Sequence, residues 1–322
     1  MNTNVKTTFA SSFEEDCYKG LTSYPKYLLS KYIYDKKGDK LFQDIMELPE
    51  YYLTRCEYDI FEKHAAGIAR QMDGEDGFDL IELGAGDGKK TKVLLRQLVD
   101  QDIPFSYLPV DISENVLLEL QASLKEEIPE IDVKIQLGTY FKTLEKLADY
   151  NTRKKVIMML GSNIGNLLHK DAIDFLTHIS AAMSDKDLLF MGFDQKKHPQ
   201  VILDAYNDAT GVTAAFNKNH LERINTELGG NFDIETFLHW ETYDPESGTA
   251  KSFLVSKIDQ MVTIENLGLE VHFDAWETIH TEISQKYDDQ VVNWLADQAG
   301  LKVIKAFTDS KGYYKDYLFQ KK

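Results

Sequence analysis

Two cysteines among 322 residues, Cys17 and Cys56, leave no room for a disulfide framework or a zinc pattern. Neither belongs to a CxxC pair, so both are expected as free thiols in a reducing compartment. No apolar run reaches the roughly 20 residues of a membrane span. The opening stretch, Met1 to Glu15, is polar and lacks the apolar core of a secretion signal. A cytoplasmic protein with no membrane partner is the expectation. Basic residues are also in short supply, 36 Lys and Arg against 53 Asp and Glu, for a net charge of -17. That excess repels nucleic acid phosphates and anionic lipid. The run Arg153-Lys154-Lys155 is too short, and too close to a predicted strand, to act as a basic patch. A small-molecule substrate is therefore expected and a nucleic acid is not, although acidity also serves solubility alone. No repeat or low-complexity segment is present. A hydrophobic share of 43% suits a globular chain, and the length suits one large domain or two lobes.

Residues Lys26 to His64 read as largely helical, interrupted near Pro49. From Phe78 onward strands alternate with helices. Phe78–Leu83 is a buried strand, followed by a glycine-rich turn and a helix from about Lys90 to Leu98. A second strand, Phe105 to Val110, ends in Asp111, and Ser113 caps the next helix, with Glu114 in its first turn. Val133 to Leu137, Lys155 to Leu160 and Leu188 to Phe193 supply three more strands. This rhythm predicts an α/β fold with a parallel sheet. Near the C-terminus a helix, Val291 to Ala299, stops at Gly300. Two strands follow, Leu301–Phe307 and Tyr313–Phe319. A closing β-hairpin fits the antiparallel edge of a class I methyltransferase sheet, which a plain nucleotide-binding fold lacks. Between Gln195 and Tyr287 the rhythm breaks. Helical sequence with Tyr206 and Phe216 gives way to alternating segments at Phe237–Tyr243 and Ser252–Ile258. A turn at Asp244-Pro245-Glu246-Ser247-Gly248 joins them. The expected organisation is an N-terminal helical segment packing on the core (1–60), a Rossmann-like core (61–195), an inserted α+β substrate lobe (196–286) and a return to the core (287–322).

The central motif is Glu82-Leu83-Gly84-Ala85-Gly86-Asp87-Gly88, placed after a strand and before a helix. Gly84 and Gly86 let a ligand approach the backbone closely. The third glycine of GxGxxG is replaced by Lys89, and an acid precedes the loop, so a pyrophosphate is disfavoured. A sulfonium compound with an amino acid tail and no phosphate fits better. Asp111 stands where an acid accepts both ribose hydroxyls, or else caps the next turn; with the glycine loop beside it, ribose is favoured. Lys90 either pairs with the cofactor carboxylate or is a solvated first-turn lysine. Tyr140 either stacks on an adenine or is an exposed loop tyrosine.

Several ordered segments resemble one family, the histidine Nα-methyltransferases of ergothioneine biosynthesis. They are Tyr32-Ile33-Tyr34-Asp35, Leu48-Pro49-Glu50-Tyr51-Tyr52-Leu53-Thr54-Arg55, Leu160-Gly161-Ser162-Asn163-Ile164-Gly165-Asn166-Leu167, Gly211-Val212-Thr213-Ala214-Ala215-Phe216-Asn217 and Thr281-Glu282-Ile283-Ser284-Gln285-Lys286-Tyr287. The match runs from about Tyr24 to the C-terminus. The resemblance implies a monomeric enzyme using S-adenosyl-L-methionine (SAM) to methylate the histidine α-nitrogen three times, giving hercynine. It implies cofactor contacts at Gly84, Gly86, Lys90, Asp111, Thr139 and Tyr140. It implies amino acid contacts at Tyr51, Asn166 and Tyr206, the last two at the carboxylate, and imidazole recognition by Glu282 and Ser284. Tyr34, Gly161, Thr213 and Phe216 would line the pocket. Three positions depart from the family pattern. Thr139 replaces an acid near the adenine, Asn163 replaces a threonine beside the amine, and Ser252 replaces a methionine near the substrate ring. Relatives acting on tryptophan derivatives share the architecture, so another aromatic amino acid stays open, as does a non-catalytic SAM or amino acid sensor.

Methyl transfer to an amine is an in-line displacement in which orientation is the main contribution. No His or Cys stands out as a base, so the amine proton is expected to leave to tyrosines or water, and no metal is required. A carboxylate at Glu282 would make a charge-assisted hydrogen bond to an imidazole; otherwise it is a strand-end surface charge. Tyr51, Tyr206 and Phe216 serve equally well as core aromatics.

Overall fold

The computed structural model describes residues 8–74, 76–148 and 153–322, so the first seven residues of the polar leader lie outside the described residues. The chain divides into two compact units. One takes the chain up to Tyr52 together with Lys197–Ser284; the other takes Leu53–Lys196 and Gln285–Lys322.

The second unit is built on a sheet with the strand order Leu301–Thr308, Tyr314–Lys321, Leu188–Asp194, Lys154–Met159, Phe78–Leu83, Phe105–Asp111 and Asp132–Val133. The central strands pair in parallel. All six residues of Phe78–Leu83 are buried, as a strand covered on both faces requires. Side chains from Leu83, Ile157, Met159, Leu189 and Met191 share one core with Phe175, Ile179, Val292 and Leu295 of two helices. Helix Asp289–Gln298 is capped by Asp288, which accepts from the Val291 amide, and Gly300 turns the chain at φ 70°.

The C-terminal hairpin forms the antiparallel edge of the sheet, as expected, with Tyr314–Lys321 as its inner strand. This strand lies between Leu188–Asp194 and Leu301–Thr308, antiparallel to both, and Leu301–Thr308 is outermost. The strand expected over Val133–Leu137 is two short pieces, Asp132–Val133 and Gln136–Leu137, each pairing with Phe105–Asp111. With only one neighbour to pair with, an edge segment readily breaks register.

The first unit is α+β. Its sheet runs Lys26–Tyr27, Thr278–Gln285, Thr249–Ser256, Phe237–Asp244. The expected turn closes the last two strands: Gly248 donates to the Asp244 carbonyl at 2.8 Å, and the Asp244 carboxylate accepts from the Glu246 amide at 3.0 Å. Helix Val212–Leu228 runs between left-handed Gly211 and Gly229. A second hairpin, Gln260–Ile264 with Leu269–Phe273, was not expected from the sequence.

The leading residues group with Lys197–Ser284 in the first unit. Helix Ser12–Thr22 carries Phe13, Cys17 and Leu21 at four-residue intervals, and this stripe buries against Leu221, Ile224, Phe273 and Ile279 of the first unit. Lys26 and Tyr27 then pair in parallel with Ile279 and His280. Helix Leu53–Met72 opens the second unit. Both cysteines are buried and stand outside any disulfide, and burial pushes the Cys17 thiol up to about 12. Among the described residues no helix is long and apolar enough to cross a membrane.

Candidate functional site

The glycine loop leaves the strand Phe78–Leu83 at its carboxyl end. Gly84, Gly86 and Gly88 all take positive φ. At Gly84 the reason is steric as well, because a Cβ would come 2.4 Å from the Tyr140 hydroxyl. At Gly86 a Cβ would meet nothing within 4 Å, so space lies open beside the backbone where a ligand is expected. Asp111 ends the neighbouring strand. Its carboxylate accepts from the Ser113 amide at 3.0 Å and from the Gly86 amide at 3.4 Å. The turn-cap contact to Ser113 and the contact to the glycine loop thus coexist. This combination of an open glycine backbone and a half-buried acid fits SAM.

Tyr140 is not a loop residue. It begins helix Tyr140–Ala148, is half-buried, and packs 6.4 Å from the Phe175 ring. Burial, with the Asp111 and Glu82 charges, pushes its phenol up to about 12. Thr139 precedes it and is exposed. Beneath the loop Glu82 is fully buried, and burial pushes it up to about 7. Hydrogen bonds from Tyr107 and Thr91 and the Lys90 charge oppose that shift.

Lys90 is not a solvated first-turn lysine. Its ammonium pairs with Glu57 of helix Leu53–Met72, which is fully buried. Burial alone would lower the Lys90 pKa; the Glu57 charge outweighs it and raises it. Glu57 also accepts from the Gly161 amide at 2.9 and 3.0 Å and from the Tyr314 hydroxyl at 2.9 Å. Glu57 was not among the site residues expected from the sequence. Its signal was present: an acid on a helix stripe whose other members are Leu53, Cys56, Ile60 and Phe61.

Gly161 opens the loop that carries Asn163 and Asn166. Gly161 and Ser162 take positive φ, and Asn163–Asn166 is a single 3-10 turn. Glu57 holds the loop at Gly161. Ser162 Oγ accepts from the Asp194 amide at 3.0 Å, and Tyr287 donates to the Ile164 carbonyl at 3.0 Å. Asn163 and Asn166 are both exposed, and Asn163 donates its amide to the Leu160 carbonyl at 3.1 Å.

The first unit gathers the aromatic candidates. Tyr34 lies 5.3 Å from Phe216 and 5.6 Å from Phe42, Phe42 lies 6.2 Å from Tyr51, and Tyr51 lies 6.2 Å from Tyr206. Phe42, on helix Lys36–Glu47, was not expected. It lies between two of the matched segments, which was the available hint. The Tyr206 hydroxyl and Ser284 Oγ share a hydrogen bond of 2.8 Å. Tyr34 exposes 37% of its surface. Burial first, then the charge of Glu282, holds that phenol well above the usual range. Glu282 is half-buried inside strand Thr278–Gln285, so it is not a strand-end surface charge. Thr213 is buried, and its amide donates to Asp208 at 2.7 Å. Ser252 is buried too, and its hydroxyl donates to Glu241 at 2.7 Å. Tyr34, Tyr51, Tyr206, Phe216 and Ser284 therefore meet in one unit. Gly84, Gly86, Lys90, Asp111, Tyr140, Gly161, Asn163 and Asn166 belong to the other.

A family model described as histidine-specific methyltransferase, SAM-dependent, matches residues 13–321. The chain is 34% identical over 304 residues to the histidine N-alpha-methyltransferase of Mycolicibacterium smegmatis, covering 94% of this chain and 93% of that protein. It is 33% identical over 301 residues to the protein of the same name from Mycobacterium tuberculosis, covering 94% and 92%. Ergothioneine biosynthesis protein 1 of Schizosaccharomyces pombe is 29% identical over 301 residues, which span 91% of this chain and 39% of that longer protein.

Proposed function

The chain belongs to the SAM-dependent, histidine-specific methyltransferase family, and from that premise we propose that it methylates the α-nitrogen of L-histidine three times. The product is Nα,Nα,Nα-trimethylhistidine (hercynine), the first step of an ergothioneine-type biosynthesis. The observation that carries this reading is the Tyr34 phenol, which feels the charge of Glu282 and stands among Tyr51 and Tyr206. A carboxylate whose charge is felt by the phenol of Tyr34, among the rings of Tyr51 and Tyr206, suits an imidazole better than an apolar ring.

SAM supplies a methyl group activated on a sulfonium. The protein's task is alignment. Gly84 and Gly86 admit the cofactor to the backbone, and Asp111 accepts from the ribose hydroxyls. Tyr206 and Asn166 bind the amino acid carboxylate, and Glu282 with Ser284 binds the imidazole. Tyr34 stays protonated, because burial and the Glu282 charge oppose its ionisation. It therefore donates a hydrogen bond, and the amine proton leaves to water. Aromatic faces attract the growing ammonium charge by cation–π interaction, which favours continued methylation. We read the protein as a cytoplasmic monomer, which light scattering on the purified chain tests.

The deciding experiment is a mass-spectrometric screen of the free amino acids with SAM. Histidine should gain three α-nitrogen methyls. A stable monomethyl product with excess SAM would overturn the trimethylation, and a preference for tryptophan would overturn the substrate.

A further inference from the structure

Glu57 is a fully buried acid that the reaction as described leaves unused. Three donors converge on it: Lys90 from the helix after Phe78–Leu83, the Gly161 amide from the loop after Lys154–Met159, and Tyr314 from the terminal hairpin. Those two strands are central neighbours. The chain leaves them toward opposite sides of the sheet, to Phe105–Asp111 and to Leu188–Asp194. That is the switch point at which open α/β sheets bind ligands.

Asp316 stands beside Glu57 and is fully buried as well. A Cβ built on Gly192 would lie 2.4 Å from Glu57 Oε1 and 2.9 Å from Asp316 Oδ1. Among the described residues no donor reaches either Asp316 oxygen. Two ionised carboxylates sharing the one Lys90 ammonium would leave a buried negative charge uncompensated. The other charged groups facing this cluster do not relieve it. Glu82 is itself an acid, and so is Asp194, whose charge acts on Tyr314 and which pairs with Lys286 at 2.8 Å. A protonated Asp316 removes the excess charge and becomes a hydrogen-bond donor to Glu57.

We propose that Glu57 is a positioning residue of the cofactor site. Held by Asp316 acting as a neutral acid, it aims the Lys90 ammonium at the carboxylate of the cofactor's methionine tail and fixes the Gly161 loop. The direction of the Asp316 shift agrees: burial pushes it well up, the Glu57 charge adds to that, and Lys90 opposes it. The proposal rests on the cofactor reading of the glycine loop, not on the identity of the amino acid.

The test is calorimetric binding of S-adenosylhomocysteine, with thermal melts run alongside. Glu57→Gln should weaken binding roughly tenfold or more, because the half-buried Lys90 loses its counter-ion. Lys90→Met should do the same. Because Glu57 acts through Lys90, the double variant should bind within about threefold of Lys90→Met alone. Asp316→Ala should also weaken binding, and Asp316→Asn should restore most of it, since an amide replaces the acid as donor. Additive losses in the double variant, or Asp316→Asn as weak as Asp316→Ala, would overturn the proposal. If Glu57→Gln does not fold, the two Asp316 variants still decide it. No binding by the wild type would overturn the cofactor reading itself, and this proposal with it.

Discussion

Gly84→Ala should be among the most damaging single-methyl changes in the chain, and its cost divides into two parts that can be measured separately. The residue sits at φ 75°, where a Cβ is disfavoured by about 1–2 kcal/mol. The added carbon would also lie 2.4 Å from the Tyr140 hydroxyl, while the next ring atom, Cζ, is 3.4 Å away. Tyr140 must therefore shift, and overpacking of this kind costs a further 1–3 kcal/mol or so. The expected total is about 2–5 kcal/mol. Removing the hydroxyl removes the clash but not the backbone cost. In a Tyr140→Phe background the same Gly84→Ala change should cost only about 1–2 kcal/mol. The assay is urea denaturation of the four members of the double-mutant cycle, with S-adenosylhomocysteine binding measured on each. A coupling of about 1–3 kcal/mol is expected. Equal costs of Gly84→Ala in the two backgrounds would refute the reasoning and take Tyr140 off the loop.

Asp111→Ala should weaken S-adenosylhomocysteine binding by about 1–3 kcal/mol through the loss of the ribose acceptor; unchanged affinity by calorimetry removes Asp111 from the site. Glu282→Ala should lower kcat/KM for histidine roughly tenfold to a hundredfold while sparing cofactor binding, and Asn166→Ala should impair every amino acid alike. If Glu282→Ala depresses histidine and tryptophan turnover equally, Glu282 is structural. Glu82 makes a pH prediction. Its folded value of about 7 lies above its ordinary 4.5, so between those values the folded protein keeps a proton that the unfolded chain releases. Stability should therefore be full below about pH 4.5 and fall as the pH rises to about 7, by roughly 3 kcal/mol, and Glu82→Gln should flatten that step in denaturation midpoints.

The sheet was readable because its strands are covered on both faces. Phe78–Leu83 and Leu188–Phe193 announce themselves as apolar runs, and the structure changes their limits by at most a residue. The edges were not readable in the same way. Whether Tyr314–Lys321 lies outside or inside Leu301–Thr308 depends on which strand pairs with Leu188–Asp194, and local pattern carries no information about that choice. The partner of the helix Ser12–Thr22 is illegible for a similar reason. Phe13, Cys17 and Leu21 state that one face must be buried, and any apolar core satisfies that need; pairing of Lys26 and Tyr27 with Thr278–Gln285 selects the one it uses.

The same distinction separates the legible from the illegible parts of the site. Glycine types and the acid at Asp111 show in the sequence because their roles are local: positive φ, an open backbone, a strand end. For Lys90 the sequence left a cofactor contact and a solvated lysine both open, because nothing within a helical turn pairs with it. Its partner Glu57 lies 33 positions earlier, and the other donors to that carboxylate lie 104 and 257 positions from it. An acid set among Leu53, Cys56, Ile60 and Phe61 already implies a paired charge, since an unpaired buried carboxylate is too costly to keep. What sequence periodicity leaves open is the donor. Only the sheet order brings Lys90, Gly161 and Tyr314 to one oxygen pair. Glu57 was thus predictable as a paired acid but not as a group bearing on the cofactor, and that second property is the one its Gln variant measures.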